Sequence, residues 1–185
     1  MAVVALYDAN VLYGNTLRDM MIRLAQSDLV EARWTDMILD EALGSVARKY
    51  PDIPQAKLDR VRRLTVDAVP KCLVKGFEPL IEKLELPDPD DRHVLAAAIT
   101  AGAKTIVTFN LADFPADSLS EWSVTAKSPD SFLVDLIDRD DQIVWACVLQ
   151  IAASHRNPPE TTGDVLNNLE RAGLFESVAL LRKKM

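Results

Sequence analysis

Several kinds of residue are scarce in this 185-residue chain. There are two histidines, His93 and His155, far apart and without a partner at ligand spacing. Both read as structural, and a histidine-based acid–base mechanism is set aside. The two cysteines, Cys72 and Cys147, sit alone in apolar contexts without metal spacing, as buried thiols of a reducing cytoplasm do. Glycine nowhere gathers into a phosphate-cradling loop, and no Gly-x-Ser-x-Gly elbow occurs. No apolar run reaches membrane-spanning length, and the stretch from Met1 to Asp8 lacks a basic leader, so neither a membrane span nor a secretory signal is expected. Positive charge is also short. With 21 Lys and Arg against 28 Asp and Glu, the net charge is −7. That argues against a broad basic face coating nucleic acid, but not against an acidic site neutralised by a bound cation.

Apolar residues, at 49%, suffice for the core of one domain, or of one domain with a helical appendage. Val3 to Tyr7 is a continuous apolar run rich in strand formers, the pattern of a strand buried on both faces in a parallel sheet. Thr16 is placed to cap a helix over 17–25. A short strand is expected near Ala32–Trp34, followed by a helix capped by Thr35 or Asp36 and ending at Tyr50-Pro51, then a helix over 54–66. Cys72 to Val74 reads as a short strand. Asp88-Pro89 opens a helix through Val94–Ile99 that Gly102 closes, and Thr105–Phe109 reads as a second buried strand, with a late strand over Trp122–Ala126. This β–α alternation predicts an α/β fold with a mainly parallel sheet. Beyond Ser128 the pattern becomes helical, over 131–137, 141–155, 164–172 and 175–183, so the chain divides into an α/β part (1–128) and a helical C-terminal extension (129–185). Phe132, Leu136, Ile143, Trp145, Val148 and Ile151 of the extension need a partner surface: the sheet domain, a second copy or a peptide. Trp34, Trp122 and Trp145 read as core. Two basic clusters, Lys57, Arg60, Arg62 and Arg63, and Arg182 to Lys184, read first as solvated helix faces.

In open parallel sheets, ligands bind beyond the carboxyl ends of the strands. Asp8 follows the first strand, with Asn10 two residues on. Asn110 follows the strand over 105–109, with Asp113 three residues on. Asp88 and Asp91 sit at the start of the helix leading into that strand. Acids gathered at one rim repel each other unless something positive joins them, and a hard divalent cation with oxygen ligands fits. Such a cation points to phosphoryl chemistry. Each acid also has a plain structural reading. Asp8 could open a turn, Asp88 suits an N-cap, Asp91 could combine capping with ligation, Asp113 could be a loop acid and Glu41 a solvated helix position.

Three segments, in order, resemble the PIN-domain family: Tyr7-Asp8-Ala9-Asn10-Val11-Leu12, Asp88-Pro-Asp-Asp91-Arg-His-Val-Leu95-Ala-Ala-Ala98 and Thr108-Phe-Asn110-Leu-Ala-Asp113-Phe114. The set is most similar to VapC-type toxins of bacterial toxin–antitoxin pairs. The resemblance implies a PIN-like three-layer fold, a Mg²⁺ or Mn²⁺ site and endoribonuclease activity in the cytoplasm. It also implies an RNA substrate, an antitoxin partner and a homodimer. By resemblance, Asp8 is the first metal-binding acid, Glu41 the second acid and Asp91 the third. A helical wheel does not separate Asp40 from Glu41, since both flank the same apolar arc. The fourth position is shared between Asn110, where many relatives carry Asp, and Asp113. Asp8, Asp91, Asn110 and Asp113 are thus the expected metal ligands, with Asp8, Glu41, Asp91 and Asp113 as the catalytic acids. Asn10 and Thr108 would orient ligands or water from behind. Two other functions compete. A Mg²⁺-dependent phosphohydrolase of small molecules would want an Asp-x-Asp pair where this chain has Asp8-Ala9-Asn10. A non-catalytic PIN-like binding module draws on the acidic pI and on Asn110.

Overall fold

The computed structural model describes residues 2–185. Strand β1 (Val3–Tyr7) leads into a single helical turn, α1 (Ala9–Leu12), and then α2 (Asn15–Gln26). Strand β2 (Val30–Arg33) is followed by α3 (Asp36–Lys49), α4 (Gln55–Ala68) and the short α5 (Glu78–Ile81). A 3₁₀ turn over Pro89–Asp91 precedes α6 (Arg92–Ala101), which feeds β3 (Thr105–Val107). A second 3₁₀ turn (Leu111–Asp113), α7 (Ala116–Ser120) and β4 (Thr125–Lys127) complete the α/β part. The helices α8 (Pro129–Ser154), α9 (Thr162–Arg171) and α10 (Phe175–Arg182) follow.

Among the described residues the four strands form one sheet in the order β2-β1-β3-β4, and every pairing is parallel. Ala5, Leu6 and Tyr7 are successive residues that point to opposite faces, and all are fully buried, so helices cover both sides of the sheet. This is the three-layer arrangement the sequence led us to expect. Tyr7 lies at the centre: its ring stacks near Trp34 (centroids 6.1 Å apart), meets the edge of Phe132 (6.4 Å), and its hydroxyl donates to Met21 O (3.3 Å). Phe132 belongs to α8, so the helical extension packs directly on the α/β part. Leu136, Val148 and Ile151 are buried in the same continuous apolar cluster.

Local chemistry accounts for most boundaries. Thr35 Oγ1 accepts from Ile38 N as the N-cap of α3. Gly102 closes α6 at φ +66°, the left-handed conformation that glycine adopts without a Cβ clash. In α8, Asp140 leaves helical geometry (φ −159°, ψ 88°), and its carboxylate accepts from Ile143 N. It is an internal N-cap, and it sits between the two helices expected over 131–137 and 141–155. Asp130, in the first turn of α8, accepts from Glu176 N, Ser177 N and Ser177 Oγ, clamping the start of α10. Burial opposes ionisation there, but these hydrogen bonds outweigh it and hold the Asp130 carboxyl below its ordinary range.

Several expectations need correcting. Thr16 does not cap α2, which starts at Asn15 after Gly14 and has no side-chain cap. Cys72–Val74 forms only an isolated parallel bridge, Leu73 to Trp34, because the segment touches the end of β2 and goes no further. The strand over 105–109 stops at Val107, since Asn10 Oδ1 takes the Phe109 N–H away from the ladder. The late strand begins at Thr125, after Ser123 turns through φ +55°. Helices α5 and α7 carry too short an apolar pattern to be read from sequence.

Candidate active site

The carboxyl ends of β1 and β3 are bound together by a network of short polar side chains. Asp8 N donates to Val107 O (3.1 Å), which carries the β1–β3 ladder one residue beyond the strands. Asp8 Oδ1 accepts from Ala9 N (2.7 Å), so the carboxylate also caps α1. Asp8 Oδ2 accepts from Thr108 Oγ1 (2.7 Å) and from Asn10 Nδ2 (2.9 Å). Thr108 Oγ1 in turn accepts from Asn10 Nδ2 (3.1 Å) and from Asn110 N (3.0 Å). Asn10 thus ties Asp8 to Thr108 through its amide N–H₂ and holds Phe109 N through its carbonyl (3.1 Å). Thr108 is fully buried and Asp8 nearly so.

Asp8, Asn10, Tyr13, Glu41, Arg48, Asp91 and Asn110 line one cleft of about 370 Å³. Glu41 reaches it from α3. Its neighbour Asp40 turns the other way and, with Asp36, pairs with Arg62 of α4. The structure therefore separates two acids that the helical wheel leaves equivalent. Glu41 Oε1 lies 2.9 Å from Nε2 of His93, a buried residue in the first turn of α6. The pair is close but not aligned as a directed hydrogen bond, and neither ring nitrogen of His93 has another partner. His93, read from sequence as structural, thus meets an expected site acid. No spacing signal could reveal this, since the two are 52 positions apart.

Asp88 takes the capping role expected of it, and Asp91 does not share it. Asp88 caps the 3₁₀ turn by accepting from Asp90 N (2.9 Å). Asp91 stands at the N-cap position of α6 but makes no side-chain cap hydrogen bond. The expected dual role of Asp91 is reduced to facing the cleft. Burial pushes its carboxyl up to about 6, and the charges of Asp8, Asp113 and Asp88 add to the shift while His93 opposes it. The Asp8 carboxyl is also raised, first by burial, against hydrogen bonds from Thr108 and Ala9 and with Glu41 adding repulsion. Asn110 lines the cleft. Asp113 does not, and it influences the site through its charge on Asp91.

The donors are all hard oxygen atoms, from three carboxylates and one amide, as suits Mg²⁺ or Mn²⁺ rather than a thiolate-loving metal. Mg²⁺ keeps several waters and needs few protein ligands. Among the described residues, no three acid, histidine or cysteine side chains are close enough to enclose an ion by themselves. The repulsion that adds to the effect of burial on Asp91 is what a cation would relieve.

An α/β domain with a carboxylate cleft at the carboxyl ends of parallel strands is the class that fold and site define. The PIN-domain family matches residues 4–112, more than half of the chain, and the chain belongs to that family. A second family, the VapC50 C-terminal domain, matches residues 129–183. A Mycobacterium tuberculosis (strain ATCC 25618 / H37Rv) protein named "Putative ribonuclease VapC50" is 40% identical over 79 residues, covering 43% of this chain and 47% of that protein. The match thus spans about half the length of that curated relative. No solved structure matches the chain significantly. No helix among the described residues is long and apolar enough to cross a membrane.

Proposed function

We propose that this protein is a Mg²⁺- or Mn²⁺-dependent endoribonuclease, the toxin of a toxin–antitoxin pair. The convergence of Asp8, Glu41, Asp91 and Asn110 on one cleft carries this reading. It is supported by membership of the PIN-domain family and by similarity to a relative whose name includes ribonuclease. A cation bound there supplies activation of water and neutralisation of the phosphodiester's charge. Asp8 and Asp91 hold the cation. Asn110 offers a neutral oxygen, and Asp113 adds charge from outside the cleft. Thr108 and Asn10 fix the Asp8 carboxylate by spending their hydrogen bonds on Oδ2, while Oδ1, which accepts only from Ala9 N, keeps a lone pair for ligation. Glu41, held beside His93, is the acid placed to take a proton at its carboxylate from the attacking water. Arg48 lines the same cleft and is the cation available to a substrate phosphate.

We place the nuclease unit in residues 1–128 and the helical extension in 129–185, and we expect a cytoplasmic homodimer that a cognate antitoxin neutralises. Purified protein with Mg²⁺ or Mn²⁺ should cleave single-stranded RNA, and chelation with EDTA should abolish it. Cleavage that persists in both Asp8→Asn and Asp91→Asn would remove the proposed site. Asn110, a neutral residue where the family resemblance implies an acid, favours the non-catalytic binding module as the second reading. That reading predicts a melting temperature indifferent to Mg²⁺ and Mn²⁺.

A further inference from the structure

A second cleft, of about 180 Å³, adjoins the carboxylate site and shares Tyr13 with it. Its floor is apolar, from Val46 on α3 and Leu58 and Val61 on α4, and Tyr50 stands at its side, half exposed. The Lys49 ammonium lies 5.7 Å from the Tyr13 ring centre and 5.5 Å from that of Tyr50, linking the two rings. Arg18 is fixed at the edge, donating to Leu12 O (3.1 Å) and Asn15 Oδ1 (3.0 Å). That leaves Asn15 Nδ2 as a hydrogen-bond donor. Lys57 lies on the opposite wall. Among the described residues, none of Arg18, Lys49 and Lys57 forms an ion pair with a carboxylate, although the chain is acidic overall. Beyond Arg18 the groove continues between α2 and α4, past Leu64 to His155.

We infer that this cleft is a nucleobase subsite, which takes one base of a single-stranded RNA whose neighbouring phosphate lies at the carboxylates. The inference rests on the ribonuclease reading and adds the part of the substrate that the second cleft recognises. Flat apolar walls and tyrosine rings suit the faces of a base, and stacking of this kind tolerates any base. Unpaired cations around an apolar floor suit the phosphates on either side of it. Continuity through Tyr13 gives the strand a path from one cleft to the next. A protein partner's apolar side chain would use the floor but would not need three unpaired cations.

The test is binding of a labelled tetraribonucleotide, with Mn²⁺ present, to the full chain carrying Glu41→Gln to suppress cleavage, beside the same tetranucleotide made abasic; the variants below are made in that background for binding. Tyr50→Ala should weaken binding of the normal RNA about tenfold and leave the abasic one unchanged. Lys57→Ala should weaken both. With Mn²⁺ present, Tyr50→Ala should raise KM for RNA cleavage and leave kcat unaltered. Equal affinity of the Tyr50→Ala variant and the parent for the normal RNA would overturn the inference and give the cleft to a protein side chain. RNA held in the cleft but never cleaved would sink the nuclease reading alone. RNA cleaved with no effect of Tyr50→Ala would sink the subsite alone. Unchanged circular dichroism of Tyr50→Ala and Lys57→Ala checks that both variants fold.

Discussion

The two sides of the carboxylate cleft are built on opposite principles. Asp8 is buried, accepts three hydrogen bonds and is locked to Thr108 and Asn10. Asp91 and Glu41 come from helices, and Asp91 is placed by the backbone with no cap hydrogen bond to fix its carboxylate. Glu41, half exposed, has only an unaligned contact with His93. One side is preorganised by neutral hydrogen-bond donors, while the other is left as unbalanced charge. The difference teaches that such a site can keep a rigid reference point on the sheet and let an incoming cation draw in the rest.

The strongest way to break the comparison is to remove an acid from each side. Asp8→Asn and Asp91→Asn should each cut RNA cleavage by more than about 100-fold, beyond the roughly 10–100-fold typical of residues behind the ligands. Calorimetric titration with Mn²⁺ should show the larger loss of affinity for Asp8→Asn, the fixed side. If Asp8→Asn were the milder change, the fixed side would not be the anchor. Next comes Thr108→Val, which removes a donor to Asp8 and an acceptor for Asn10 and Asn110 N without changing the shape much. It should cost about 1–3 kcal/mol in urea unfolding and weaken Mn²⁺ binding about tenfold or more.

The pH response of the metal-free protein sharpens the contrast. The folded Asp91 carboxyl sits at about 6, above its ordinary value of 3.8, so the folded state holds this proton more tightly than the unfolded chain. Asp8 is shifted the same way. Stability is lost as pH rises through 6 and recovered as pH falls toward 4, so the melting temperature in EDTA should be higher at about pH 5 than at about pH 7. Saturating Mg²⁺ or Mn²⁺ should reverse that trend, because protons then compete with the cation. The smallest effects belong to the fourth position. Asp113→Asn should lower the Asp91 pKa seen by NMR while leaving cleavage within a few-fold of the parent. Asn110→Asp should tighten Mn²⁺ binding and lower the metal-free melting temperature. Identical behaviour of the two variants would mean that Asn110 has no special place in the cleft.

The legible part of the site is the part that strand ends position. Asp8, Asn10, Thr108 and Asn110 lie within three residues of the ends of β1 and β3, and the topology of a parallel sheet places such residues at one rim. Asp91 could be placed because Pro89 and Gly102 bracket its helix so clearly. Glu41 could not be distinguished from Asp40, because helix periodicity gives a face but not the rotation of that face against the sheet. Tertiary pairing settles it, with Arg62 of α4 on one side and His93 of α6 on the other. Tyr13 and Arg48 gave no signal at all, since a single ring or guanidinium on a helix is ordinary until its neighbours are known. In the helical extension, the break expected between 137 and 141 falls at Asp140, whose N-capping carboxylate is a local device. The clamp from Asp130 to Ser177 joins residues 47 apart and was not.

The Asn10 clasp also has a temporal consequence. It joins the helical turn after β1 to Thr108 and Phe109, so about a hundred further residues must be made before the floor of the cleft can close. Contacts between such distant parts of a chain form slowly, and during synthesis they must wait for the later partner to emerge. A growing chain therefore carries Asp8 for about a hundred residues of synthesis without Thr108 to orient it. The anchor of the site is the first of its acids to be translated and among the last to be put in its working position.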